Sequence, residues 1–313
     1  MNFRFKAVIQ IFFSLLPLPF GHKVYVKIQK KFGSLKKFNP EGKFLNGNKI
    51  FNILKSIHKD VNNKKFLELG TGWSPITPLA LYLLGAKEVI TIDLNNYLDE
   101  SLTRETLNWI DRNKEYISTQ ISFIDKSRLD FLLSIKNHNF SYFLNEMKNQ
   151  GFFYYPGTDA SNLKFPDNYF DYYYSYDVLE HIPKEVIVKI FKEGKRVLKE
   201  SGLFVHRINY ADHFAKGDKN ISKINFLKYS RFYFKLLSNN RYNYMNRLRI
   251  DDFYSIYRDL NLNLEYEEIK VDETILELLK GKIFKSKINK DFLSKSDECL
   301  ATLSSWSVLS KLI

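Results

Sequence analysis

An apolar run, Lys65-Phe66-Leu67-Glu68-Leu69, breaks off at Gly70-Thr71-Gly72. A strand that carries one acid and then turns on two glycines brings bare backbone to its end. Glycine takes the positive φ angles of a tight turn, and its missing side chain leaves room for a bound group. A second run, Glu88-Val89-Ile90-Thr91-Ile92, delivers Asp93. A glycine turn after one strand and a carboxylate after the next is the layout of a nucleoside-binding α/β site.

The alternation continues along the chain. Asn39-Pro40-Glu41-Gly42 and Asn46-Gly47-Asn48 read as loops, and 49–60 as a helix leading into the first strand. Pro75 and Pro78 stand at the head of a helix that runs to about Leu84 and closes on Gly85-Ala86. Phe152-Phe153-Tyr154-Tyr155 is expected to be a third strand. Tyr169 to Ser175 is a fourth, with aromatic residues on both faces as in a buried parallel strand. Pro183 opens a helix ending near Ser201-Gly202, and Leu203 to Ile208 is a fifth strand. A helix (250–260), a strand (Leu264 to Val271) and a last strand (Trp306 to Leu312) follow. Strands alternating with helices predict an α/β fold with a doubly wound parallel sheet. Residues 97–150 are longer than an ordinary connection, and the helical spacing of Leu102, Leu107 and Ile110, then Leu129, Leu132 and Leu133, marks a helical insertion. The expected organisation is a basic helical extension over 1–48 and one domain over 49–313, with insertions at 97–150 and 211–249.

Charge is clustered. The chain carries a net charge of +13; residues 1–45 hold nine Lys/Arg against Glu41 alone, and residues 214–249 nine more against Asp218 alone. A lysine-rich composition explains the number better than the clustering. Such patches favour anionic partners: phosphates, nucleic acid or a membrane surface. Ala7 to Phe20 is mostly apolar but shorter than the roughly 20 residues that span a bilayer. No small-residue cleavage site follows it; Pro17, Pro19 and Gly21-His22-Lys23 stand there instead. It reads as a helix packed on the domain or as one resting on a membrane. The single cysteine, Cys299, forbids an internal disulfide and a cysteine-built zinc site. No metal is expected, and the expected setting is cytoplasmic, with peripheral contact to the inner face of the membrane as a further element.

Two more segments sharpen the nucleoside site. Gly157-Thr158-Asp159-Ala160-Ser161 follows the third strand, and Phe170-Asp171-Tyr172-Tyr173-Tyr174-Ser175-Tyr176-Asp177-Val178-Leu179-Glu180-His181-Ile182-Pro183 spans the fourth strand and its exit. With the glycine turn and Asp93, these resemble the class I S-adenosylmethionine-dependent methyltransferases of the small-molecule type, whose fourth strand ends in a Leu-Glu-His-Ile segment. The resemblance covers residues 65–208 apart from the 97–150 insertion. A dinucleotide dehydrogenase is disfavoured, because its third glycine would fall at Pro75.

The resemblance implies a Rossmann-like methyltransferase sheet with S-adenosylmethionine as cofactor, and it assigns roles. Glu68, Gly70 and Gly72 would shape the pocket for the methionine part, Asp93 would bind the ribose hydroxyls, and Asp159 the adenine amino group, with Ala160 beside it. Ser175 and Tyr176 would line the space between donor and acceptor. Ser74 stands where many relatives have a third glycine, and Trp73 is placed to cover the pocket.

Several residues are candidates for the chemistry. Glu180 and His181 either begin a helix, where Glu suits the positive dipole end, or bring His181 to the acceptor. His206-Arg207-Ile208-Asn209-Tyr210-Ala211-Asp212-His213 runs off the carboxyl end of the fifth strand, where ligands bind in open α/β sheets. His206, Asp212 and His213 there either supply a general base or belong to a loop that caps neighbouring elements. Amino-group methylation of bases commonly uses Asn/Asp-Pro-Pro-aromatic where this chain has Ser175-Tyr176-Asp177-Val178. Carbon methylation of pyrimidines needs a cysteine at the site, and Cys299 is far along the chain. Oxygen methylation of a sugar or another small-molecule or lipid-linked hydroxyl fits best. The eight Phe/Tyr interleaved with basic residues over 214–249 suit stacking of sugars or bases beside phosphates. The whole is loosely similar to bacterial methyltransferases associated with surface-polysaccharide synthesis. Expected partners are a small-molecule, glycan or lipid-linked acceptor and an anionic membrane surface. An RNA methyltransferase, with nucleic acid as the less favoured partner, and a non-catalytic S-adenosylmethionine-binding protein are the alternatives.

Overall fold

The computed structural model describes residues 2–312 apart from 18, 19, 122 and 241. Leu18 and Pro19 of the apolar amino-terminal run, and Arg241 of the basic stretch, therefore lie outside the described residues.

Seven strands form one sheet: β1 (Lys65–Leu69), β2 (Glu88–Asp93), β3 (Phe152–Pro156), β4 (Phe170–Tyr176), β5 (Leu198–Asn209), β6 (Leu262–Val271) and β7 (Thr302–Lys311). Their order is β3-β2-β1-β4-β5-β7-β6. The first five pair in parallel, and β7 runs antiparallel between β5 and β6. The direction of winding reverses between β1 and β4. In doubly wound sheets the ligand crevice opens at that switch point, off the carboxyl ends of the strands.

Alternation along the central strands builds two cores. Phe66, Val89, Tyr172, Tyr174 and Val205 pack under one helical layer, and Leu67, Ile90, Tyr173 and Phe204 under the other. After α1 (Phe3–Leu15) and α2 (Phe20–Phe32), the first layer is formed by α3 (Pro40–Ser56), α4 (Ile76–Leu83) and the four helices of the long connection, α5 (Glu100–Arg112), α6 (Lys114–Gln120), α7 (Lys126–Ile135) and α8 (Phe140–Asn149). The second is formed by α9 (Lys184–Val197) and, beyond α10 (Arg231–Ser238), by α11 (Ile250–Asp259).

Three sequence expectations need correction. The segments 39–42 and 46–48 are not loops. Asn39 caps α3 by accepting from the Gly42 N–H at 3.1 Å, and Pro40 occupies the first turn, where its missing N–H costs nothing. Gly47 lies inside α3 because α4 crosses there: a Cβ would stand 2.5 Å from the Ala80 Cβ. Its bareness serves packing rather than a turn. The helix after Pro183 ends at Val197, and β5 begins at Leu198 rather than Leu203.

At the amino terminus, α1 (Phe3–Leu15) buries Phe3 and Ala7 against Phe214 and packs beside α10. Its other face leaves Phe5, Val8, Phe12 and Leu15 exposed. No helix among the described residues is long and apolar enough to cross a membrane.

Candidate active site

The glycine turn after β1 has the predicted conformation, with φ of 88° at Gly70 and 63° at Gly72. The two glycines do different work. A Cβ on Gly70 would lie 2.6 Å from the Val178 Cγ2, so the loop after β4 closes directly over it. A Cβ on Gly72 would meet nothing within 4 Å. That position opens into the crevice.

Backbone donors tie the loops of β1, β2 and β3 together. The Asp93 carboxylate accepts from the Gly72 N–H and from the Asn95 N–H, each at 3.0 Å, and the Asp93 carbonyl accepts from the Thr158 N–H at 3.0 Å. Past Thr158, Asp159 accepts from the Ser161 N–H and hydroxyl, both at 2.8 Å, which holds its carboxyl below the usual range; Ala160 is buried next to it. Trp73 stacks on Tyr97 with ring centroids 5.1 Å apart. Ser74 is buried, its hydroxyl 2.9 Å from that of Thr106 on α5, so it fastens the turn to the helical layer.

Glu68 is buried in β1 and accepts from the Thr91 hydroxyl; burial pushes its carboxyl up to about 8. Lys43 of α3 comes within electrostatic reach of both Glu68 and Asp177. No motif announced Lys43, because it arrives from a helix that the sequence reading treated as loop. These groups fit S-adenosylmethionine: a carboxylate for its ammonium, a lysine for its carboxylate, Asp93 for the ribose, Asp159 for the adenine, and an open cradle at Gly72 between them.

Ser175 and His206 occupy other places than expected. Both are fully buried in neighbouring strands, and the Ser175 hydroxyl lies 2.8 Å from the His206 Nδ1. Phe191, Tyr173 and Phe204 surround the imidazole, and burial pulls its pKa down to about 3. This pair belongs to the core, and neither residue lines the space between donor and acceptor. Tyr176, one residue on, stays half-buried between the Arg207 guanidinium and Trp306.

After Tyr176 the chain leaves β4 sharply. Asp177 has a φ of 55° and pairs with Arg207 of β5. Leu179–His181 then form a single 3₁₀ turn, separate from α9. Glu180 is therefore not an acid at a helix start. It is buried, and neither carboxylate oxygen has a hydrogen-bond partner. Burial, reinforced by the Asp177 carboxylate, raises its pKa well above the ordinary value. Asn246 clamps this turn from the basic-aromatic segment: its N–H donates to the Glu180 carbonyl at 2.9 Å, and its side-chain amide to the Leu179 and Ile182 carbonyls at 2.7 and 2.8 Å.

His213 meets the same turn. Its Nε2 lies 4.0 Å from Glu180 Oε1 and has no hydrogen-bond partner, and its ring centroid is 4.9 Å from that of His181. Burial, then Lys216, lowers the His213 pKa well below the ordinary value. His181 sets its Nδ1 2.7 Å from the Tyr244 carbonyl, so Nδ1 carries the proton and Nε2 the lone pair. Asp212 stands apart from this cluster. It is buried and caps the turn that presents His213, accepting from the Phe214 N–H at 2.8 Å. Thus two of the four candidate catalytic residues, His181 and His213, converge; His206 and Asp212 do not.

Beside the turn runs a groove of about 570 Å³ between α9 and α10, lined among others by Lys184, Arg231, Lys235, Tyr244 and Asn246.

Residues 133–206, from α7 to the middle of β5, match a family described as a methyltransferase domain. No curated protein matches the chain. Among solved structures it is similar to a protein of Pyrococcus horikoshii OT3 (17% identity, 83% of this chain and 86% of that one, TM-score 0.44). It is also similar to an S-adenosylmethionine-dependent methyltransferase from Mesorhizobium loti (12% identity, 82% and 95%, TM-score 0.42).

Proposed function

We propose that the chain is an S-adenosylmethionine-dependent methyltransferase acting on a hydroxyl oxygen of a sugar or lipid-linked acceptor, a reading supported by the match of residues 133–206 to a methyltransferase domain. The observation that carries this reading is the unpartnered His213 Nε2 at the carboxyl edge of β4 and β5. The turn that His213 meets directly follows Val178, whose side chain covers Gly70.

Bound S-adenosylmethionine supplies an electrophilic methyl group to an acceptor aligned with it. In this reading Glu68 and Lys43 would hold the two ends of its amino-acid part, and Asp93 and Asp159 the nucleoside. Alignment of the acceptor is the main contribution such a site makes, because fixing two reactants in line removes much of the entropic barrier. A hydroxyl must also lose its proton. Burial and Lys216 lower the His213 pKa well below the ordinary value, which favours the neutral, proton-accepting form of the imidazole.

Two features support a glycan or lipid-linked acceptor. The groove beside His181 joins Tyr244, a platform for a sugar face, to Lys184, Arg231 and Lys235, which suit phosphate. On the surface, Phe5, Val8, Phe12 and Leu15 of α1 lie with Phe232 and Leu236 of α10, and Arg4, Arg231 and Lys235 are exposed on the same two helices. An apolar strip with basic residues is suited to the surface of an anionic membrane. Incubating the protein with methyl-labelled donor and fractionated cell extract tests the reading. Label in alkali-stable ether linkage on glycan or glycolipid is expected; label on RNA, or only on free phenols, would replace it.

A further inference from the structure

Glu180 presents a specific problem. A carboxylate removed from water is costly unless a positive group or donors meet it, yet both of its oxygens lack a partner and its side chain is only 4% exposed. Asp177 next to it is engaged by Arg207. His181 and His213 each bring one donor atom near Glu180: the three donor atoms lie within 4.8 Å of one another. The hydrogen bond from His181 Nδ1 to the Tyr244 carbonyl leaves the other ring nitrogen as a lone-pair donor, the arrangement by which metal-binding histidines are commonly oriented. Asn246 fixes the backbone that carries Glu180 and His181.

We propose that Glu180, His181 and His213 form a binding site for a first-row divalent cation such as Zn²⁺ or Mn²⁺. Two imidazoles and one carboxylate are borderline donors suited to such ions and leave coordination positions open. Ligands about 2.1 Å from an ion stand roughly 3–3.5 Å from one another, so the cluster closes slightly on loading, and the exposed His181 has room to move. The cation would meet the two Glu180 oxygens that have no hydrogen-bond partner among the described residues.

The site rests on the hydroxyl-methylation reading and changes the part of His213 in it: the imidazole lone pair holds the cation instead of taking the proton. The acceptor oxygen takes an open position on the cation. The hydroxyl proton passes to solvent water, the oxygen lone pair forms the new bond to the methyl carbon, and the S–CH₃ electron pair returns to sulfur. Lys216, close enough to act on Glu180, His181 and His213, opposes loading, as do Arg207 near Glu180 and Lys6 near His213.

Calorimetric titration of chelator-stripped protein with Zn²⁺ and with Mn²⁺ tests the proposal, together with the visible absorption of a Co²⁺-loaded sample. One ion per chain is expected. His181→Ala, on an exposed residue, and His213→Ala should each weaken binding by about 100-fold or more and abolish the Co²⁺ spectrum, with the fold verified by circular dichroism. Absence of binding, or binding unchanged in both variants, overturns the site. If chelator-treated protein still methylates a hydroxyl, the cation proposal fails and the reading of the reaction stands. If the ion binds through these residues but label enters no hydroxyl, the site stands and that reading falls.

Discussion

The Gly72 N–H donates to Asp93 Oδ2 at 3.0 Å, joining the turn after β1 to the carboxylate after β2. One oxygen of the carboxylate proposed to bind ribose thus also fixes the edge of the cradle. Asp93→Asn offers an amide in place of a carboxylate and loses one acceptor. We expect S-adenosylmethionine affinity to fall by roughly 100-fold, about 2.7 kcal/mol, with a smaller loss of thermal stability; calorimetric titration and a melting curve separate the two effects.

Glu68 gives the donor site a pH dependence. Its folded pKa of about 8 lies above the ordinary 4.5 because it is buried. The folded chain therefore binds more protons than the unfolded chain between these values, and stability contributed by the protonated carboxyl is lost as pH rises through that window. A donor ammonium at Glu68 favours the ionised form, so binding near pH 7 should release close to one proton. Titrations in two buffers of different ionisation heat measure this, and Glu68→Gln should remove it.

Arg249 is fully buried and donates to the carbonyls of Tyr210, Cys299, Leu300 and Thr302. It pins the start of β7 to the exit from β5. Arg249→Met removes a buried cation but strands four acceptors, each worth about 1–3 kcal/mol when left unpaired. The net loss should be at least about 3 kcal/mol in chemical denaturation, without a specific effect on donor binding in the protein that remains folded.

His206→Phe should separate core from catalysis. The imidazole is neutral throughout the working range, and its loss leaves the Ser175 hydroxyl unpaired. Stability should drop by about 1–2 kcal/mol, while the pH–rate profile keeps its shape. A changed acidic or basic limb would return His206 to the reaction.

The exposed strip on α1 predicts membrane contact. Phe12→Glu should reduce flotation with vesicles rich in phosphatidylglycerol, and methylation of a water-soluble acceptor should be unaffected. Equal flotation of both forms would remove α1 from the interaction.

What was legible in the sequence follows from what is local. The strands around Glu68 and Asp93 announce themselves because an apolar run and its turn lie in adjacent residues. The start of α3 does not, since Asn39, Pro40 and Gly47 read as breakers until the cap and the crossing at Ala80 are seen. The same limit governs the site. Both His206 and His213 looked available near the end of β5, yet one lies among Phe191 and Phe204 while the other meets a turn from β4. Arg207 pairs with Asp177 across 30 residues, and Asn246 reaches Leu179 across 67. Such separations are set by strand order, which no local pattern encodes.

Asn246 has a consequence for how this enzyme can be altered. Residues 211–249 look like an exchangeable module for acceptor choice, but three of the hydrogen bonds that hold the Leu179–Ile182 turn come from inside that module. A transplanted segment would bring a new groove and remove the brace of the reaction turn in the same cut. Chimeras should therefore retain asparagine at this position, or carry the donor's own turn with them. On the proposed reading, specificity and turnover in this chain would be inherited together.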